Sequence, residues 1–101
     1  MTLLENLNGS DRFANCNGMR IVEILPDSAT AEMTVCQCHL NGAGVCQGGA
    51  LYTLADLAMA GVMNAGGKVT LSIENTITYH HSARLGEHLT AVATMIFDHH
   101  K

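Results

Sequence analysis

ALYTLADLAMAGVMN, residues 50–64, is the stretch that decides the fold. Leu51, Leu54, Ala55, Ala58 and Val62 recur at helical spacing and form one stripe. The other faces carry Tyr52, Leu57, Met59 and Met63. A helix apolar nearly all round is expected to be buried. Gly66-Gly67 supplies its stop. Asp56 is the only charged residue between Leu40 and Gly67. Burying a carboxylate without a partner is costly, and its pKa tends to rise. The apolar surroundings therefore predict a buried, functional Asp56 rather than one on a narrow exposed edge.

Immediately upstream lie a flexible loop, Asn41-Gly42-Ala43-Gly44, and the pair Gly48-Gly49. Gly48 falls where loop becomes helix. Amides in a helix's first turn lack intrahelical acceptors and carry the positive end of the dipole. A glycine there lets a ligand oxygen approach, which suits an oxyanion donor. A plain turn glycine fits the same pattern. Gly48 and Asp56 are eight residues apart, roughly 12 Å along a helix. One helix cannot bring both to one carbonyl carbon. A two-fold dimer supplies an antiparallel copy, so the spacing points to a site shared between subunits.

Further outward the period changes to two. Met19 to Leu25 reads as a strand and Pro26-Asp27 as a turn. Ala29, Ala31, Met33 and Val35 then alternate with Thr30, Glu32 and Thr34, giving a half-buried strand and a hairpin. Beyond the helix, Val69 to Tyr79 alternates again, with Thr70, Ser72, Glu74, Thr76 and Thr78 on its polar face. Leu85-Gly86 marks a turn, and Glu87 to Phe97 a fourth strand with Leu89, Ala91, Ala93, Met95 and Phe97 on one face. Leu3, Leu4 and Leu7 suggest a short amphipathic helix ended by Asn8-Gly9. The order β-β-α-β-β makes one α+β domain over residues 1–101.

Composition narrows the function. The 101 residues are 48 % apolar and only 14 % charged. So few charges imply that another subunit covers part of the surface. A net charge of -4, with no basic cluster and few aromatic rings, argues against nucleic-acid binding. No apolar run reaches membrane-spanning length, and the N-terminus lacks a signal-peptide pattern. A cytoplasmic protein with its four cysteines as thiols is expected. Cys36-x-Cys38-His39, with Cys46 beyond, invites a zinc reading. Its cysteines are closer in sequence than zinc sites usually place them, and on a strand they share one face. Small packed thiols and no metal are expected instead. His80-His81 would point to opposite faces of a strand. With His88, His99 and His100 they read as solvated or interface histidines. Arg84, in a loop, suits a phosphate or open solvent.

Asn41-Gly42-Ala43-Gly44-Val45-Cys46-Gln47-Gly48-Gly49-Ala50-Leu51-Tyr52-Thr53-Leu54-Ala55-Asp56 resembles the central motif of the PaaI-type hot-dog thioesterases. Ile77-Thr78-Tyr79 and Ala83-Arg84-Leu85-Gly86-Glu87 resemble that family too, so the likeness runs from about Phe13 to the C-terminus. It implies a hot-dog fold, with an antiparallel sheet wrapped around one long helix. It implies a homodimer or homotetramer that hydrolyses acyl-CoA thioesters, small or aryl, without a cofactor. By position, Asp56 matches the carboxylate that acts as base or nucleophile, and Gly48 the backbone donor to the carbonyl. Asn41 matches the loop asparagine that helps place that carbonyl or the attacking group, and Ser72 the hydroxyl that orients water. Asn41, Gln47 and Gly48 would come from one subunit, Asp56 and Ser72 from the other. Gly49, Tyr52 and Arg84 would contact substrate, Arg84 at a CoA phosphate.

Two departures stand out. Gln47 replaces the family's histidine; it can hydrogen-bond but cannot carry charge or relay a proton near neutral pH. The family adds a strand or two after Phe97, so the fold is expected to be short of its C-terminal strands. A non-catalytic acyl-CoA-binding or regulatory module is the alternative. A hot-dog dehydratase would need a catalytic histidine that this loop lacks.

Overall fold

The computed structural model describes residues 1–65 and 82–95. Its first helix, α1, is Leu3–Ser10. A capping box starts it: Thr2 Oγ1 accepts the Glu5 N–H at 3.1 Å, and Glu5 Oε1 accepts the Thr2 N–H at 3.0 Å. The helix runs through Asn8-Gly9, where the glycine predicts a stop. The reason is tertiary. Asn8 Nδ2 donates to the Ile21 carbonyl at 2.9 Å, and Asn8 Oδ1 accepts the Ile21 N–H at 2.8 Å. The side-chain amide thus serves the sheet edge as a peptide group would. Asp11 then caps a five-residue helix, α2, Arg12–Cys16, by accepting the Ala14 N–H at 3.0 Å.

Strands β1, Arg20–Leu25, and β2, Ser28–Thr34, form the expected antiparallel hairpin. Leu25 pairs with Ser28 across Pro26-Asp27, and a bulge falls between Ile21 and Glu23. Ala29, Ala31 and Met33 are buried, as their alternation predicts. Strand β3, His88–Thr94, pairs antiparallel with β2, from Ser28↔Thr94 to Thr34↔His88. The described sheet therefore has the order β1-β2-β3, with β2 central. Leu89, Ala91 and Ala93 of β3 lie against the core. The expected strand at Val69 to Tyr79, with Ser72, lies outside the described residues.

Helix α3, Gly48–Ala65, packs across this sheet. Leu54, Leu57, Ala58, Gly61 and Val62 are its buried positions. Each fully buried Leu or Val contributes about 1.5–3 kcal/mol. Together these residues outweigh the roughly 1 kcal/mol that Gly61 costs inside a helix. Gly61 sits at a close approach of the two layers. A β-carbon there would lie 2.7 Å from the Ala29 β-carbon.

Burial of α3 is one-sided, which corrects the expectation of a helix enclosed all round. Tyr52 is 50 % exposed and Met63 58 %, and Asp56 is exposed as well. At 100° per residue, Asp56 points almost opposite to the mean direction of Leu54, Leu57, Ala58 and Gly61. An apolar composition on every face does not enclose a helix when one sheet covers a single side.

Candidate active site

The start of α3 is set by the segment before it. After β2 the chain leaves extended conformation and makes a 3-10 turn, Gln37–His39. An isolated bridge between Leu40 and Cys46 then closes a small loop. Asn41 shapes this loop from within. Its Oδ1 accepts the N–H groups of Ala43 at 2.9 Å and Val45 at 3.3 Å. Gly44 turns the chain at φ 80°, a left-handed value that favours glycine. The Gln47 N–H donates to the His39 carbonyl at 2.8 Å, and the Cys46 N–H to the Ala83 carbonyl at 2.8 Å. The entry to α3 is thereby tied to the turn and to the segment before β3.

His39 anchors the turn and is 3 % exposed. Its Nδ1 accepts the Cys36 N–H at 3.0 Å, while its Nε2 lies 2.8 Å from the Asn17 carbonyl. A carbonyl only accepts and a backbone amide only donates, so these partners assign the proton to Nε2. His39 links the turn to the end of α2. The sequence pattern singled it out only beside Cys36 and Cys38 as a possible zinc ligand; its anchoring role carries no periodic signal.

A recess of about 280 Å³ opens beside the start of α3. Gln47, Gly49 and Thr53 line it together with the apolar Phe13, Met19 and Leu40. Gln47 reaches over the first turn, for a β-carbon at Gly49 would stand 3.0 Å from its Oε1. Asp56 continues the Gly49 face, seven residues and roughly 10 Å further along the axis. It is exposed rather than buried. Tyr52 and Met63 flank it on the same face.

The structure thus gathers Asn41, Gln47, Gly48 and Gly49 around one end of α3, with Asp56 two turns away along the exposed face. Tyr52 lies between them. Arg84 is exposed in the segment before β3, where its N–H donates to Glu87 Oε1. Ser72 lies outside the described residues, as do His80, His81, His99 and His100. His88 is on the surface of β3, with Nε2 3.3 Å from Glu32 Oε2.

One local reading needs correction. Cys36 and Cys38 do not lie on a strand, because β2 ends at Thr34 and the turn follows. Both are exposed, and only Cys46 is a buried thiol. The ligand atoms of Cys36, Cys38 and His39 lie within 4.8 Å of one another. Both nitrogens of His39 are already hydrogen-bonded, so a metal would have to displace one partner.

Residues 43–97, just over half of the chain, match the thioesterase superfamily. The chain belongs to the thioesterase superfamily. It is 34 % identical to the acyl-coenzyme A thioesterase PaaI of Escherichia coli over 84 residues, 83 % of this chain and 60 % of that protein. An Archaeoglobus fulgidus protein, named only provisionally as an esterase, is 44 % identical over 84 residues, 83 % of this chain and 54 % of its own. The solved E. coli PaaI structure superimposes with a TM-score of 0.77 and 32 % identity, covering 89 % of this chain and 65 % of that one. A Streptococcus pneumoniae thioesterase protein solved with coenzyme A gives 0.60 and 25 %, covering 71 % and 56 %. The long helix on an antiparallel sheet is accordingly the PaaI-type hot-dog fold. The chain spans a little over half the length of the curated relatives it matches. No helix among the described residues is long and apolar enough to cross a membrane.

Proposed function

We propose that this protein hydrolyses acyl-CoA thioesters to a free acid and CoA, at a site built from two copies of α3. One observation carries the reading: the only carboxylate of α3 projects from its uncovered apolar face, away from the core. A carboxylate standing in water between Tyr52 and Met63 has no catalytic environment. The same carboxylate covered by an antiparallel α3 would be desolvated by both helices and brought near the partner's helix start.

In this reading Asp56 of one subunit takes a proton from water, and the oxygen attacks the thioester carbonyl carbon. The Gly48 N–H of the other subunit, aided by the helix dipole, holds the oxyanion that develops. The intermediate collapses, the CoA thiolate leaves, and Asp56 returns its proton to that thiolate. Asn41 keeps the loop in the shape that presents Gly48, and Gln47 hydrogen-bonds near the carbonyl. Ser72 orients the water, and Gly49 and Tyr52 line the acyl side. Arg84, exposed beside the loop, is assigned to a CoA phosphate. The mechanism needs no metal or redox cofactor. Cytoplasmic location and a homodimer, alone or paired into a tetramer, complete the proposal.

Support comes from the superfamily match and from the CoA held by a related structure. The rival is an acyl-CoA-binding module without turnover, and Gln47 favours it because an amide relays no proton. Thiol release over a panel of acyl-CoAs separates the two. Turnover that falls about 10²- to 10⁴-fold in Asp56→Asn is expected of a general base. Binding without thiol release, unchanged by that substitution, would establish the rival instead.

A further inference from the structure

We infer that Cys36 and Cys38 form a redox-active dithiol, which small disulfides of the glutathione class oxidise to an intramolecular disulfide. Their sulfurs are 3.0 Å apart, and both residues are exposed. The 3-10 turn creates this pair. On a straight strand, residues two apart would be about 6.6 Å from each other, against the roughly 3.8 Å between β-carbons that a disulfide needs. Here the extended backbone of Cys36 (φ -116°, ψ 176°) leads directly into the turn at Gln37, which folds Cys38 back beneath it. His39 fixes that geometry by accepting the Cys36 N–H from its buried position.

The chemistry is asymmetric. A hydrogen bond from Cys38 lowers the Cys36 thiol below its ordinary pKa, and the same pairing raises Cys38. Cys36 is thus the attacking sulfur and Cys38 the resolving one. The Cys36 thiolate attacks one sulfur of the small disulfide, forming a mixed disulfide and expelling one thiolate. Cys38 then loses its proton and attacks Cys36 Sγ, expelling the second. The protein gives up two electrons and two protons; the small disulfide gains both and leaves as two thiols. Cys38 also borders the recess at the start of α3, so small molecules have access to the pair.

The test treats the intact protein with glutathione disulfide and reads free thiols and intact mass. It is independent of turnover, so it stands or falls apart from the hydrolytic reading. Wild-type protein is expected to lose two thiols without retaining glutathione. Cys38→Ser is expected to trap one glutathione on Cys36, and Cys36→Ser to react several-fold more slowly. Both positions are exposed, so circular dichroism should show unchanged folds. Stable glutathione adducts on wild-type protein would overturn the assignment. So would loss of two thiols in Cys36→Ser, which would implicate Cys16 or Cys46. Stoichiometric zinc that resists a chelator and blocks oxidation would overturn it in favour of a metal site.

Discussion

Asp56 faces away from the sheet, so its substitution separates chemistry from folding. Asp56→Asn should not lower the unfolding free energy, because it removes no core contact and spares the proposed dimer a desolvated charge. The same variant should lose thiol release. Gly48 offers a complementary change. It is not among the glycines with positive φ, and proline is tolerated in the first helical position. Gly48→Pro should delete the N–H assigned to the oxyanion, with circular dichroism checking that α3 is retained. A fall of about 10²- to 10³-fold in kcat is expected, measured by the same assay. At this scale the sequence was informative about identity and misleading about environment. The isolation of Asp56 among apolar residues was plain to read. Its exposure was not, because composition does not record which side of a helix a sheet covers.

At the level of elements, two positions hold layers together. Asn8 ties α1 to β1 through both halves of its amide. Asn8→Ala leaves the Ile21 N–H and carbonyl without those partners and should cost about 1–3 kcal/mol. Urea unfolding should show a lower midpoint with an unchanged slope. Gly61 is the close approach of α3 to β2. Adding a methyl group there forces the layers apart, costing about 1–3 kcal/mol, against roughly 1 kcal/mol regained in helix propensity. Gly61→Ala should be net destabilising by up to about 2 kcal/mol in the same experiment. A more stable variant would mean that α3 shifts freely on the sheet. The hairpin and α3 were legible because periods of two and 3.6 follow directly from strand and helix geometry. Helix α2 escaped notice, although Asp11 three residues before Ala14 is an N-cap signal. The turn at Gln37–His39 also escaped, because Cys, Gln and His mark no period.

For the whole molecule, the proposed site demands two chains. Mixing Asp56→Asn with Gly48→Pro under subunit exchange gives the decisive measurement. Neither variant alone should turn over, whereas a hybrid dimer contains one intact site. Half of the dimers are hybrids at random mixing, so about a quarter of wild-type activity should return. No recovery, or a single-chain mass in sedimentation, would remove the shared-site mechanism and leave the fold assignment standing. The sequence by itself determined the fold class, because a long apolar helix between alternating strands has few ways to hide its surface. It also determined that Asp56 is the only carboxylate α3 carries. Only the tertiary structure decided which face of α3 stays uncovered, that Asn41 spends its side-chain oxygen inside its own loop, and that Cys36 meets Cys38. Those outcomes depend on where distant segments pack, and packing direction is a property of the assembled layers that no local pattern encodes.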